Sequence, residues 1–179
     1  MLSDTHPHKI INHCPRCGSS QFNSREEGIS FSCEDCGFVY FVNSSAAVAC
    51  LIFNSKGELM LSRRAIEPNR GMLDLPGGFV DVMETAEEAV RREINEELGI
   101  AVTGLQYLTS FPNEYVFSGY SVFTLDMAFV CQVDDLDSAH PKDDISAIEF
   151  YDLKTVPFQE LCSDSMRNII EFYLENKIK

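Results

Sequence analysis

Three glutamates, Glu93, Glu96 and Glu97, recur at i, i+3 and i+4 within the stretch Gly78 to Ile100, GFVDVMETAEEAVRREINEELGI. On a helix running from Thr85 to Leu98 they share one face within roughly a 100° arc. Ala86, Ala89 and Val90 fall on that same face one or two turns earlier, so the stripe expected to be buried continues as acid. Like charges at that spacing repel, and burying them unpaired costs more still. A hard divalent cation removes both penalties, and carboxylates grouped in this way can serve chemistry beside a phosphate. A solvated acidic helix face is the plain alternative. It is disfavoured because the acids extend the apolar stripe and do not oppose it.

A second group is made of thiols. Cys14-x2-Cys17 and Cys33-x2-Cys36 enclose a fifteen-residue spacer, the spacing of a four-thiolate zinc ribbon. Gly18 and Gly37 follow the two pairs and let backbone N–H groups turn toward sulfur. Two disulfides are the alternative, but Met1 to Lys9 holds no apolar export segment that would imply an oxidising compartment. His13 is a neighbour that a complete tetrahedral shell does not need. Zinc so held is structural, and it folds about 35 residues that have too little core to fold alone. Cys50, Cys131 and Cys162 lie in or beside apolar segments and read as inert thiols.

Composition limits the partners. The chain has 179 residues, 45% of them hydrophobic, enough for one medium domain with a small module attached. A net charge of −14 argues against general affinity for nucleic acid or an anionic membrane. A polyphosphate substrate must therefore be met by local cations or metal. The ribbon itself sets Lys9, Arg16 and Arg25 against Glu26, Glu27, Glu34 and Asp35, with no basic stripe to track a phosphate backbone. No apolar run approaches the length that spans a bilayer, and a cytoplasmic protein is expected.

The remaining elements must position these groups. Asn43-Ser44-Ser45 reads as a boundary, giving a zinc ribbon over 1–44 and a second domain over 45–179. Ala46 to Phe53 is an apolar run typical of a strand buried on both faces, and Asn54-Ser55-Lys56-Gly57 turns it into a second strand, Glu58 to Arg63. Arg63, Arg64 and Arg70 cluster just before the acidic helix and are candidate phosphate contacts. Thr85 with Glu88 forms a capping box, and Gly99 is a left-handed stop past Leu98. Strands follow over Val102 to Phe111, Tyr120 to Val133 and Ala147 to Tyr151. Met166, Ile169, Ile170, Tyr173 and Leu174 mark an amphipathic C-terminal helix, with Ser163 or Ser165 as N-cap and Lys177 and Lys179 at its end.

Gly78, five residues, Glu84, seven residues and then Arg92-Glu93-Ile94-Asn95-Glu96-Glu97-Leu98-Gly99-Ile100 resemble the Nudix box at every fixed position. The lead-in Leu75-Pro76-Gly77-Gly78-Phe79-Val80 is similar to that family as well. The resemblance implies a Nudix-type α/β/α sandwich with a mixed β-sheet, here preceded by a small zinc ribbon. It implies that Glu93, Glu96 and Glu97 bind Mg²⁺ or Mn²⁺ with the Gly77 carbonyl, and that Glu84 pairs with Arg92 to brace the loop. Gly78 and Gly99 would be structural. Metal then neutralises a diphosphate and activates a water for in-line attack, and Glu93, or else Asp143 or Asp144, takes the proton. Asp143 and Asp144 precede the Ala147 strand, where an ordinary solvated turn is the other reading. Asp81 and Met83 stand where many relatives carry Glu and Gly, which implies an altered loop shape with catalysis retained.

A ribbon ahead of such a domain resembles the NADH pyrophosphatase subgroup. Of that subgroup's signature only Ser110, Pro112 and Ser118 match, with Tyr115 standing in for an aromatic that could stack on a base. The expected activity is metal-dependent hydrolysis of a nucleoside diphosphate linked to another moiety, NAD(H) or ADP-ribose leading. Cleanup of non-standard nucleoside triphosphates, nucleotide sensing without turnover, and removal of a nucleotide cap from RNA are the rivals. The subgroup also implies a homodimer, which one chain does not decide.

Overall fold

The structure, a computed structural model, describes residues 3–25 and 28–176. Glu26, Glu27, Lys177 and Lys179, read above from sequence, lie outside the described residues. The chain forms two compact units, Met1–Ser44 with Glu114–Phe123, and Ser45–Asn113 with Thr124–Lys179.

In the first unit a short helix α1 (Pro7–Ile10) precedes three antiparallel strands, β1 (Phe22–Arg25), β2 (Ser30–Cys33) and β3 (Val39–Phe41), in the order β1-β2-β3. Its core is small: Cys14, Phe22, Phe31 and Cys33, with the Phe22 and Phe31 rings stacked at 5.2 Å. The unit also takes in the tip of a hairpin that the sequence placed in the second domain. There Ser121 is fully buried, its hydroxyl 2.8 Å from Thr5 Oγ1 and its N–H donating to the Thr5 carbonyl.

The second unit contains β4 (Ser45–Ile52), β5 (Leu59–Arg64), β6 (Leu73–Asp74), α2 (Ala86–Leu98), β9 (Ile145–Tyr151) and α3 (Asp164–Asn176). Strands β7 (Val102–Phe117) and β8 (Tyr120–Val133) form the hairpin whose tip belongs to the first unit. Sheets run β4-β8-β7 and β6-β5-β9, with β4 parallel to β8 and β5 antiparallel to β6 and β9. Alternation along β4 explains the layering. Val48, Cys50 and Ile52 pack with Ala89, Val90, Ile94 and Leu98 of α2, whereas Ala49 and Leu51 pack with Met166, Ile169 and Ile170 of α3. Two helices thus enclose the strands in an α/β sandwich with mixed pairing, as expected. Each fully buried Ile or Leu contributes about 1.5–3 kcal/mol to that arrangement.

One strand runs past its expected end, and one of two candidate caps is selected. Sequence places a strand end near Phe111, but β7 continues to Phe117 and turns at Ser118-Gly119, with φ of 52° and 75°. Positive φ at both central residues suits a tight two-residue hairpin, and Pro112 is tolerated because β7 is an outer strand that needs no donor there. At α3, Ser163 is the cap, its hydroxyl accepting the Met166 N–H at 3.3 Å. Ser165 is buried and donates to Asp126, a carboxylate only 4% exposed that also accepts from Thr124 at 2.6 Å. Among the described residues, no helix is long and apolar enough to cross a membrane.

Candidate active site

Helix α2 is pinned at both ends. Thr85 Oγ1 accepts the Glu88 N–H, and the Glu88 carboxylate returns to the Thr85 N–H, so the capping box is complete. At the other end Gly99 has φ 71°, and a Cβ there would meet Lys142 Nζ at 2.7 Å. The segment over Gly99 caps the helix: His140 N–H donates to the Leu98 carbonyl and Lys142 N–H to that of Glu97. This fastening carries the Asp143-Asp144 turn to the helix end, where the Asp144 carbonyl accepts the Ala65 N–H at 2.7 Å.

The three glutamates are buried to different degrees. Glu97 is 8% exposed and Glu93 half-buried, while the Glu96 side chain keeps 50% of its surface in solvent. Glu97 Oε2 accepts the Gly77 N–H at 3.0 Å. Burial pushes the Glu97 carboxyl up to about 8; the charges of Glu93, Asp74 and Asp144 add to this, and the Gly77 N–H opposes it. Glu93 is raised too, chiefly by burial, with Arg92 acting against it. Carboxylates crowded into such a place call for a cation.

The lead-in to α2 is shaped for the same purpose. Pro76 and Gly78 give their carbonyls to the N–H groups of Cys50 and Val48 on β4, while Gly77 between them turns its N–H to Glu97. A Cβ at Gly77, where φ is 143°, would sit 2.2 Å from the Val48 carbonyl oxygen, and one at Gly78 would strike Glu93 Oε1 at 2.6 Å. Only glycines let the backbone and these carboxylates approach so closely. Carboxylate oxygens are the donors that a hard divalent cation takes, with Glu97 buried, Glu93 half-buried and Glu96 half-exposed; among the described residues only the four cysteines bring three or more ligand atoms within 4.8 Å of one another. Residues Glu93, Glu96 and Glu97 are the ones that would hold the divalent cation.

Arg92 grips the loop before the helix. It makes a double hydrogen bond to Glu84 at 2.9 and 2.8 Å and donates to the Phe79 carbonyl. Glu84 is held below the usual carboxylate range, first by Arg92 and then by the Asp81 N–H. Met83, in place of the family's glycine, still has φ 68° and is 97% exposed. Met83 is thus a left-handed, solvent-facing residue of the loop.

The arginine cluster comes apart. Arg63 pairs with Glu149 and Glu160 at 3.1 and 3.3 Å and donates to the Gly71 carbonyl. Arg64 binds Asp74 at 2.9 Å and the Pro68 carbonyl. Both guanidiniums thus have carboxylate partners within the chain, and each also bonds a carbonyl of the 65–72 loop. Arg70 is exposed on that loop. Tyr115 is half-buried and lies in the first unit. Asp144 is exposed, and its charge is felt at Glu97. Sequence reasoning passed over Asp74, a carboxyl that burial raises and that bears on Glu97. An acid set between Leu73 and Leu75 was its signal.

In the first unit the Cys14, Cys17, Cys33 and Cys36 sulfurs lie within 4.8 Å of one another. Cys14–Cys36 and Cys17–Cys33 are 3.7 and 3.6 Å apart, far beyond a disulfide bond of about 2.05 Å. A tetrahedron with Zn–S of about 2.3 Å sets its sulfurs about 3.8 Å apart. The cluster matches that spacing. Backbone N–H groups of Asp35 and Cys36 favour the Cys33 thiolate against its burial, bringing that thiol to about 7.

The NUDIX domain model matches residues 43–172, so the chain belongs to the NUDIX family. It is 26% identical over 152 residues to a protein of Vibrio cholerae named NAD-capped RNA hydrolase NudC, and 28% identical over 152 residues to one of that name from Chromobacterium violaceum. Each match covers 85% of this chain and 53% of the other, so the chain spans about half the length of the curated relatives it matches. Among solved structures, a MutT NUDIX hydrolase from Burkholderia pseudomallei is similar with TM-score 0.63 and 25% identity, over 73% of this chain and 98% of that one. A MutT protein from Methanosarcina mazei Go1 gives 0.62 and 26%, over 76% and 96%.

Proposed function

We propose that the chain is a divalent-metal-dependent pyrophosphatase cleaving a nucleoside diphosphate linked to another moiety, with NAD(H)- or ADP-ribose-like compounds as substrates. The observation that carries this is Glu97, buried against Gly77 among neighbouring acids on a helix capped at both ends. A zinc ribbon within 1–44 is its structural partner, and the hydrolase lies within 45–179. Mg²⁺ or Mn²⁺, when bound, would neutralise the diphosphate and lower the pKa of a coordinated water. Glu93, Glu96 and Glu97 hold the site's charge in place, with the Gly77 carbonyl as a further oxygen. Asp144, tied to the end of α2, or Glu93 accepts the proton. Arg70 meets a phosphate. Action in the cytoplasm, and as a homodimer, belongs to the same reading by the subgroup resembled.

NAD-linked substrates are favoured by the name shared by the two relatives. Cleanup of nucleoside triphosphates is the second reading, since the same acidic helix would serve a triphosphate as well as a linked diphosphate. Purified protein with Mg²⁺ would be given NADH, ADP-ribose, NAD-capped RNA and oxidised dGTP, beside Glu97→Gln. Two monophosphate-bearing products, lost by about 100-fold or more in the variant, support the first reading. Release of pyrophosphate selects the second. Binding without cleavage of any of them rejects both.

A further inference from the structure

Arg92 does more than brace Glu84. One edge of its guanidinium, Nε and Nη2, is spent on Glu84 and the Phe79 carbonyl. The remaining nitrogen, Nη1, reaches Glu93 Oε1 at 2.7 Å and Glu96 Oε2 at 3.2 Å. All five N–H donors of the side chain are thereby engaged. A loop brace explains the first edge and leaves the second unexplained. Glu96 has half its surface in water and lies one helical turn from Glu93, so repulsion and solvent would both draw it outward. It lies instead 3.2 Å from Arg92 Nη1, against the same cation that holds Glu93.

We propose that Nη1 of Arg92 is a resident stand-in for the divalent cation. It gathers Glu93 and Glu96 in the metal-free protein and loosens its hold on them when the cation binds, while Nε and Nη2 stay on Glu84. The inference rests on the metal-site reading given above. Its physical basis is charge. A guanidinium beside the ligand oxygens offsets their mutual repulsion when they are alone, and repels a divalent ion that comes to share them. Arg92 therefore stabilises the metal-free site and lowers its affinity for metal. A pure brace acts in the opposite sense, since its loss would loosen the site and weaken metal binding.

The test needs no turnover. Mn²⁺ binding, followed by the electron paramagnetic resonance of the free ion, would be compared for the wild type, Arg92→Gln, Arg92→Lys and Glu97→Gln, with melting curves taken with and without Mg²⁺. Arg92→Gln is expected to bind Mn²⁺ more tightly, on the order of threefold to tenfold. Its metal-free melting temperature should fall and its rise with Mg²⁺ should exceed that of the wild type. Arg92→Lys keeps the charge without the fork and should fall between the two. Unchanged or weaker Mn²⁺ binding by Arg92→Gln overturns the proposal and leaves the brace. If that variant does not fold, Arg92→Lys decides by the same sign. Should the wild type bind no Mn²⁺, or bind it equally well as Glu97→Gln, the metal-site reading itself fails and takes this proposal with it.

Discussion

The carboxylate of Glu97 and the backbone N–H of Gly77, 3.0 Å apart, join the third acid of α2 to the segment that pairs with β4. Helix and sheet are thus registered through the candidate site itself, and substitution at either residue should disturb both.

Gly77→Ala is the sharper probe. Its Cβ would press on the Val48 carbonyl oxygen, a backbone atom that cannot rotate away, at a φ that L side chains rarely adopt. A loss of about 2–4 kcal/mol is expected, combining backbone strain with overpacking. Urea denaturation checks it: a midpoint within error of the wild type would show that the segment can shift freely.

Arg63 should matter to stability and its pH dependence more than to substrate. Its hydrogen bond holds Glu149 below the ordinary carboxylate value of 4.5, with Tyr151 helping. A depressed folded-state pKa gives stability that is present above the unfolded value and lost as pH falls through the folded one. Acid should therefore destabilise the wild type below about pH 4.5 more steeply than Arg63→Ala. At neutral pH the variant should lose roughly 1 kcal/mol, since the pair is partly solvated. Melting curves between pH 3 and 7 would show parallel profiles if Arg63 were idle in the fold.

Met83 adopts a left-handed backbone with its side chain in solvent. Non-glycine residues there cost about 1–2 kcal/mol, and glycine's greater unfolded entropy returns part of it. Met83→Gly should raise stability by about 0.5–1 kcal/mol, whereas a β-branched Met83→Val should lower it. Equal melting temperatures for both would mean that the loop relaxes to another shape.

The four thiols predict about one zinc per chain by metal analysis. Cys33→Ser removes a buried ligand and should release the metal together with the fold of the first unit, read as lost protection of Phe22 to Phe41 amides from hydrogen exchange. Retained protection in a zinc-free variant would mean that the small phenylalanine core suffices.

What was legible in the sequence is what short range determines. The capping box, the stop at Gly99, the cysteine spacing and the acid face of α2 all depend on residues a few positions apart. Arg63 and Arg64 illustrate the limit. Glu149 and Glu160 lie 86 and 97 positions beyond Arg63, and no local pattern announces that they would claim it. Graded burial of the three glutamates also escaped, because helical periodicity gives a face but not the depth of each position within the tertiary packing. The strand expected to end at Phe111 runs on through Pro112, because an outer strand has no use for the N–H that proline lacks.

The first unit is assembled from separated parts of the chain: the ribbon and the hairpin tip from Glu114 to Phe123, with Ser121 buried under Thr5. During synthesis the ribbon emerges first, and its sulfurs can be gathered early. Its unit nevertheless closes only after Phe123 has left the ribosome, by which time α2 is already made. The N-terminal unit therefore includes more of the chain than residues 1–44. A chain begun at Ser45 would uncover Ser121, and a fragment ended at Ser44 would lack the surface that completes it.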